Sequence, residues 1–209
     1  MTTPEFRLRD VALTAYGPTV VSAIGHGAVL PMLALRAREL GADLGTAAFV
    51  VALLGIGQLI ASLPAGALVA RIGERWALVG AGLLDAVALV GAGLSGSVLW
   101  LSVAVLCSGM MWTVFLLARQ QFMIEVVPDY YRARALSMLG GSHRVGLFIG
   151  PLLGALAVHQ WGIRGVFWLA AVSAGIAAGI ALVMPDPGAE SRHEQAASGH
   201  LSVWSVMKE

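Results

Sequence analysis

Asp85 is a carboxylate near the middle of a long apolar stretch that starts at Trp76. Placing such a group at mid-bilayer costs about 2.5–3.5 kcal/mol on insertion scales, so it needs a partner or a task. The chemistry open to it is carrying a proton or contacting a cation, and the structural alternative is a hydrogen bond across its small-residue face of Ala81, Gly82, Ala88 and Ala92. His26 is the second candidate, because an imidazole titrates near neutral pH and can relay protons. A lone histidine there can equally be hydrogen-bonded near Ser22. Gln58 and Ser62 share a helical stripe with Gly55 and Gly66, a face that packs on protein or lines a wet cavity. Arg119 and Arg144 stand near helix ends, where they can gate with Glu125 or Asp129, attract an anionic solute, or snorkel to headgroups. Snorkelling is the reading adopted for Arg119, and both readings stay open for Arg144. Trp112 and Phe115 could stack on an apolar substrate, with packing or lipid contact the reading adopted.

The residues that could mislead are few. Gly91-Ala92-Gly93-Leu94-Ser95-Gly96 matches a dinucleotide fingerprint, but no strand precedes it. Gly140-Gly141-Ser142-His143 has no glycine two residues after the serine, where a nucleophile elbow needs one. No His/Cys/carboxylate spacing marks a metal site, and no catalytic constellation or cofactor motif is visible, so the chain reads as a non-enzyme.

The elements that position these groups follow from composition. Of 209 residues, 58% are hydrophobic and 12% charged, with mean hydropathy +0.81. A soluble domain carries about a quarter charged residues, so this is an all-α membrane protein whose helices pack through small side chains. Charge-free runs predict six spans, near 11–33, 45–69, 76–95, 97–124, 136–158 and 164–184. Flanking them are an N-terminal segment, 1–10, and a polar tail or linker, 186–209, around the bundle 11–185. The first span is too long for a signal-peptide core and ends in Arg36 and Arg38. Net charge of +1 gives no field for nucleic acid. Cys107, alone, cannot form an intramolecular disulfide. Arg7, Arg9, Arg71, Arg75, Arg132, Arg134, Arg192 and Lys208 fall on one side, against Arg36, Arg38 and Arg164 on the other. That bias places both termini in the cytoplasm of a multi-pass inner-membrane protein. Trp161, Phe167 and Trp168 suit an interfacial belt, and Gly146, Gly150 and Gly154 form a ridge, with Pro151 beside it, that admits a close neighbour.

The charged hinge Gly66-Ala67-Leu68-Val69-Ala70-Arg71-Ile72-Gly73-Glu74-Arg75 resembles the loop between helices two and three of the major facilitator superfamily. Gly66, Arg71, Gly73 and Arg75 match that signature, while Ala70 and Glu74 stand where it has Asp and Arg. The stretch Pro128 to Ala135 and the run Gly146-Leu147-Phe148-Ile149-Gly150-Pro151-Leu152-Leu153-Gly154 are similar to the family's inner loop and its antiporter signature. The family's helix-four arginine falls on Val105 and the first antiporter glycine on Ser137.

The resemblance implies the N-terminal six-helix half of a transporter, built of 3+3 inverted repeats, with a solute site between two such halves. It implies secondary transport by alternating access, with drug efflux against protons as the drug-antiporter variant, and a gating role for Gly66, Arg71, Gly73 and Arg75. Partners would then be the bilayer, a small organic solute, and a second six-helix half or a copy of this chain. The rival is a half-transporter that acts as a partner-binding scaffold without transporting.

Overall fold

The computed structural model describes residues 8–184, which form five α-helices and no strand. These are α1 (Leu8–Glu39), α2 (Leu44–Ile72), α3 (Glu74–Leu94), α4 (Val98–Val126) and α5 (Asp129–Val183). The tail 186–209 and most of segment 1–10, with Arg7, Arg192 and Lys208, lie outside the described residues. All five helices are long and apolar enough to cross a membrane. At 1.5 Å per residue α3 is about 31 Å long, the thickness of a hydrocarbon core.

The 55-residue α5 differs from the expectation of two spans joined by a loop. Gly162 alone breaks it, at φ 71° and ψ −175°, leaving limbs 129–161 and 163–183. That backbone region is essentially restricted to glycine, so one residue makes a corner and no loop is needed. At its start α5 absorbs the predicted inner loop. Arg132 Nε donates to the carbonyls of Ile124 (2.9 Å) and Val127 (3.2 Å), and its Nη1 pairs with Asp129 (2.7 Å). Those carbonyls are orphans of the end of α4, so the arginine caps one helix while it starts the next. Asp129 is therefore Arg132's partner rather than a gate partner for Arg119 or Arg144.

The α2–α3 turn is equally short. Gly73 (φ 86°, ψ 159°) ends α2 with its N–H on Val69 O at 2.8 Å and starts α3 with its carbonyl accepting from Ala77 at 2.9 Å. Asp43 caps α2 by accepting from the Thr46 backbone N–H at 2.7 Å. At the same end of the bundle Arg36, 4% exposed, donates to Ser95 O (2.6 Å) and Glu39 (3.0 Å). It ties the last turn of α1 to the α3–α4 turn.

Small residues set the packing. α1 lies between the two limbs of α5. A Cβ on Gly150 would meet Ile24 O at 2.6 Å and Ala28 N at 2.8 Å; one on Gly25 would meet Ala170 Cα at 3.1 Å. α2 crosses α4 where Gly57 faces Leu106 and Gly109 faces Leu54, and Gly82 sets α3 against Ala178 of the second limb. The buried face of α2 is Ala47, Val50, Gly57, Ala61, Ala65 and Val69. The predicted stripe sits beside it instead, with Gly55, Ser62 and Gly66 exposed and Gln58 half-buried. Two adjacent rows of small residues run along α2, and only the row whose methyl-sized side chains fit α4 is packed. Of the expected aromatic belt, Trp161 and Trp168 are exposed, but Phe167 is fully buried in the core between α1 and α3.

Candidate functional site

Asp85 sits halfway along α3 and is 3% exposed. Its Oδ1 accepts from Ser108 Oγ of α4 at 2.5 Å, and its Oδ2 lies 3.7 Å from His26 Nε2 of α1. The imidazole is fixed from its other side, where Nδ1 lies 3.4 Å from Ser22 O one turn back along α1, the contact the sequence anticipated. Nε2 makes no hydrogen bond among the described residues, so the Asp85 carboxylate is the charged group it faces. A carboxylate and an imidazole this close, in a dry bundle, can share a proton and change the charge of the site by one unit when they do.

Trp112 covers one side of the pair. Its indole stacks on His26 with ring centroids 3.7 Å apart and 26° between planes. Phe115 lies parallel to Trp112, 6.0 Å away, and His143 of α5 approaches it at 5.5 Å. On α4 the spacing Ser108, Trp112, Phe115, Arg119 is four, three and four, one helical face, and all four side chains are buried. On the other side of His26 a cavity of about 10 Å³ is bounded by Leu33, Leu54, Ser108 and Phe167. That volume is near the minimum for one water, and His26 and Ser108 offer the polar partners it needs. The Trp112 side of the pair is covered by aromatic packing.

The remaining candidates are placed as follows. Arg119 is 6% exposed, which rules out the snorkelling assigned to it. Arg144, next to His143, is exposed, as are Arg71 and Pro151, and none of them reaches the Asp85 pair. A Cβ added at Gly66 would meet nothing within 4 Å, whereas Gly146, Gly150 and Gly154 are buried against α1 from Val20 to Ala28. Gln58 contributes its backbone carbonyl to Thr113 Oγ1 at 3.3 Å. Arg75 donates to Leu182 O, a carbonyl at the end of α5, and its guanidinium lies 5.7 Å from the Trp76 ring. Within this chain Arg75 is thus a helix cap joining α3 to the second limb. No group of three His, Cys, Asp or Glu side chains suited to a metal occurs among the described residues.

Sequence reasoning missed Ser108 and His143 and gave Trp112 a passive role. The signal was present as periodicity. His143 precedes Gly146, Gly150 and Gly154 at spacing three, four and four, which puts it on the face of α5 that packs on α1.

The family model of the Major Facilitator Superfamily matches residues 19–208. Among curated relatives, the Multidrug resistance protein MdtG of Erwinia billingiae is 29% identical over 161 residues, covering 75% of this chain and 39% of the relative. That of Yersinia enterocolitica is 29% identical over 164 residues, covering 77% and 40%. That of Escherichia fergusonii is 25% identical over 165 residues, with the same two shares. The chain spans about two-fifths of the length of these relatives, 39% and 40% for the first two. With its helices, its hinge and a match over residues 19–208, the chain belongs to the Major Facilitator Superfamily.

Proposed function

We propose that this chain is the N-terminal half-bundle of a secondary transporter that exports small organic solutes in exchange for protons. In this reading α1–α4 and the two limbs of α5 make six spans arranged as 3+3 inverted repeats. Alternating access then moves them as a unit against a second six-helix half, or against a copy of this chain. The relatives' names, which speak of multidrug resistance, favour an apolar, structurally loose substrate class.

The observation that carries the proposal is the buried contact of Asp85 with His26 and Ser108. Without a proton the pair bears a net negative charge; with one it is neutral. A low-dielectric bundle tolerates the neutral state of the pair far better during rearrangement, so proton loading licenses the conformational step. Because the contacts join α1, α3 and α4, gaining or losing the proton changes the adhesion among those three helices. The exposed apolar side chains Leu59 and Leu63 of α2 and Phe148 and Leu152 of α5 supply the surface on which a second half would close.

Orientation follows the arginines. Arg71, Arg75, Arg132 and Arg134 cluster at the end with the Gly73 and Pro128 turns. At the opposite end Arg36 is engaged by Ser95 and Glu39, leaving Arg38 and Arg164. This favours the Gly73 end as cytoplasmic, with both termini there, in the inner membrane. The test is dye efflux from vesicles reconstituted with the chain under an imposed pH gradient. Gradient-driven flux that becomes gradient-independent in Asp85→Asn is the expected result. Flux in Asp85→Asn that still follows the gradient would sink the proposal, and absence of flux with every dye tried would count against transport by copies of this chain alone.

A further inference from the structure

Just past the Gly162 corner of α5, a groove of about 410 Å³ opens on the outside of the bundle. It is lined by Trp161, Gly165, Trp168, Leu169 and Val172, all apolar. A Cβ on Gly165 would meet Trp161 Cβ at 2.7 Å, so glycine is what lets Trp161 sit over the start of the second limb. The corner stands level with the end of α3. A Cβ on Gly93, one residue before α3 ends at Leu94, would lie 3.9 Å from Arg164 O. Because α3 is about as long as a hydrocarbon core is thick, Arg164 stands at the membrane–water boundary. Arg164, Trp168 and Val172 follow at intervals of four, so the arginine heads the row that forms one wall of the groove. Helical side chains lean toward the N-terminal end, which carries this guanidinium toward the headgroups. Arg164 is exposed and has no hydrogen bond or ion pair among the described residues. Helix α5 holds no carboxylate after Asp129, and the neighbouring turn Ser95-Gly96-Ser97 holds none. Glu39 and Asp43, at the same end, are engaged by Arg36 and Thr46.

We propose that this groove holds one anionic phospholipid of the adjoining leaflet, with an acyl chain between Trp161 and Trp168 and the phosphate on Arg164. The phosphate fits because a guanidinium presents a fork of donors to it and this one is otherwise unpaired. The chain fits because the groove is apolar and runs from the boundary toward the midplane, about 12 Å from Arg164 to Val172. Tryptophans belong at this depth, where one edge of the indole is wet and the other apolar. A second groove, of about 400 Å³ between α3 and α4, shows what is missing without the arginine. Leu84, Val87, Trp100 and Cys107 are among its lining residues, and neither helix carries a charge between Asp85 and Arg119. It offers a lipid chain apolar contact but no anchor for a headgroup, so its occupants should exchange without regard to charge. The lipid site requires only the membrane and stands apart from the transport reading.

The test is native mass spectrometry of the purified full chain in detergent, titrated with phosphatidylglycerol and with phosphatidylcholine of the same acyl chains. Phosphatidylglycerol is expected to bind about fivefold more tightly, the contribution of one arginine beside an anionic headgroup. Arg164→Gln should bring its affinity down to that of phosphatidylcholine, while Arg38→Gln, exposed at the same end, should match wild type. Trp161→Ala should weaken both lipids, because it removes a wall of the groove. Arg164 and Trp161 are both exposed, so these variants keep the fold. Equal affinities of the wild-type chain for the two lipids, or a preference that survives Arg164→Gln, would overturn the proposal. So would a dimer that Trp161→Ala dissolves, because a second copy of the chain would then occupy this face.

Discussion

A methyl group added at Gly150 should loosen the seam between α1 and α5 and displace His26. The new Cβ would lie 2.6 Å from Ile24 O and 2.8 Å from both Ala28 N and Gly27 C. These are backbone atoms, so no side chain can swing away and α1 itself must retreat. A retreat of roughly 0.5–1 Å forfeits a quarter to a half of each dispersion contact it affects. Overpacking of this kind costs about 1–3 kcal/mol. Opposing it, alanine gains about 1 kcal/mol over glycine in a helix interior. Gly140, exposed on the same helix with nothing within 4 Å, supplies the reference, because Gly140→Ala receives only the helix gain. Gly150→Ala should therefore be less stable than Gly140→Ala by about 1–3 kcal/mol, with Gly154→Ala, whose closest contacts are 3.1–3.2 Å, in between. Unfolding in mixed micelles followed by tryptophan fluorescence measures the series. His26 lies between the Ile24 and Ala28 contacts, so the same retreat should widen its 3.7 Å approach to Asp85 and impair coupling as well as stability. Equal stabilities of the Gly150 and Gly140 variants would refute the reasoning.

Two further outcomes follow from the ends of the helices. Gly73→Ala forces a side chain into backbone angles of φ 86° and ψ 159°, and should cost about 1–3 kcal/mol in the same unfolding assay, whereas Gly66→Ala should cost nothing. Asp43 lies outside the spans and is held below the usual carboxylate range by Thr46, through its side chain first and then its backbone N–H. A depressed carboxylate contributes stability above its unfolded-state value, lost as pH falls through its folded value, here at or below about pH 4. Unfolding curves of Asp43→Asn should lack that acid-side loss while matching wild type near neutrality, since asparagine also caps a helix.

Membrane character and hinge position were readable from the sequence because charge is scarce and most arginines mark a helix end. Asp85 stood out for the same reason. Its partners did not, since His26 lies 59 positions away and Ser108 resembles any other small helix-packing residue. The α2 face was misread because in lipid the buried row is chosen by shape. Gly57, Ala61 and Ala65 differ from Gly55, Ser62 and Gly66 by fit to α4, not by hydropathy. Arg119 was misjudged from its nearness to a helix end. Helix α4 continues seven residues beyond it to Val126, and Phe122 and Met123, one turn on, are buried, so it is held inside. The break between 158 and 164 was legible, but not that Gly162 alone would make it, because a corner of one residue leaves no polar loop to see.

The proposed proton on Asp85 is open to direct observation. Infrared difference spectra of the chain, recorded as pH is stepped between about 5 and 8, report protonated carboxyl groups. A band that appears with acidification, disappears in Asp85→Asn and moves in His26→Gln is the expected result. Spectra identical in wild type and Asp85→Asn across that range would contradict the assignment of Asp85 and His26 as the proton-carrying pair.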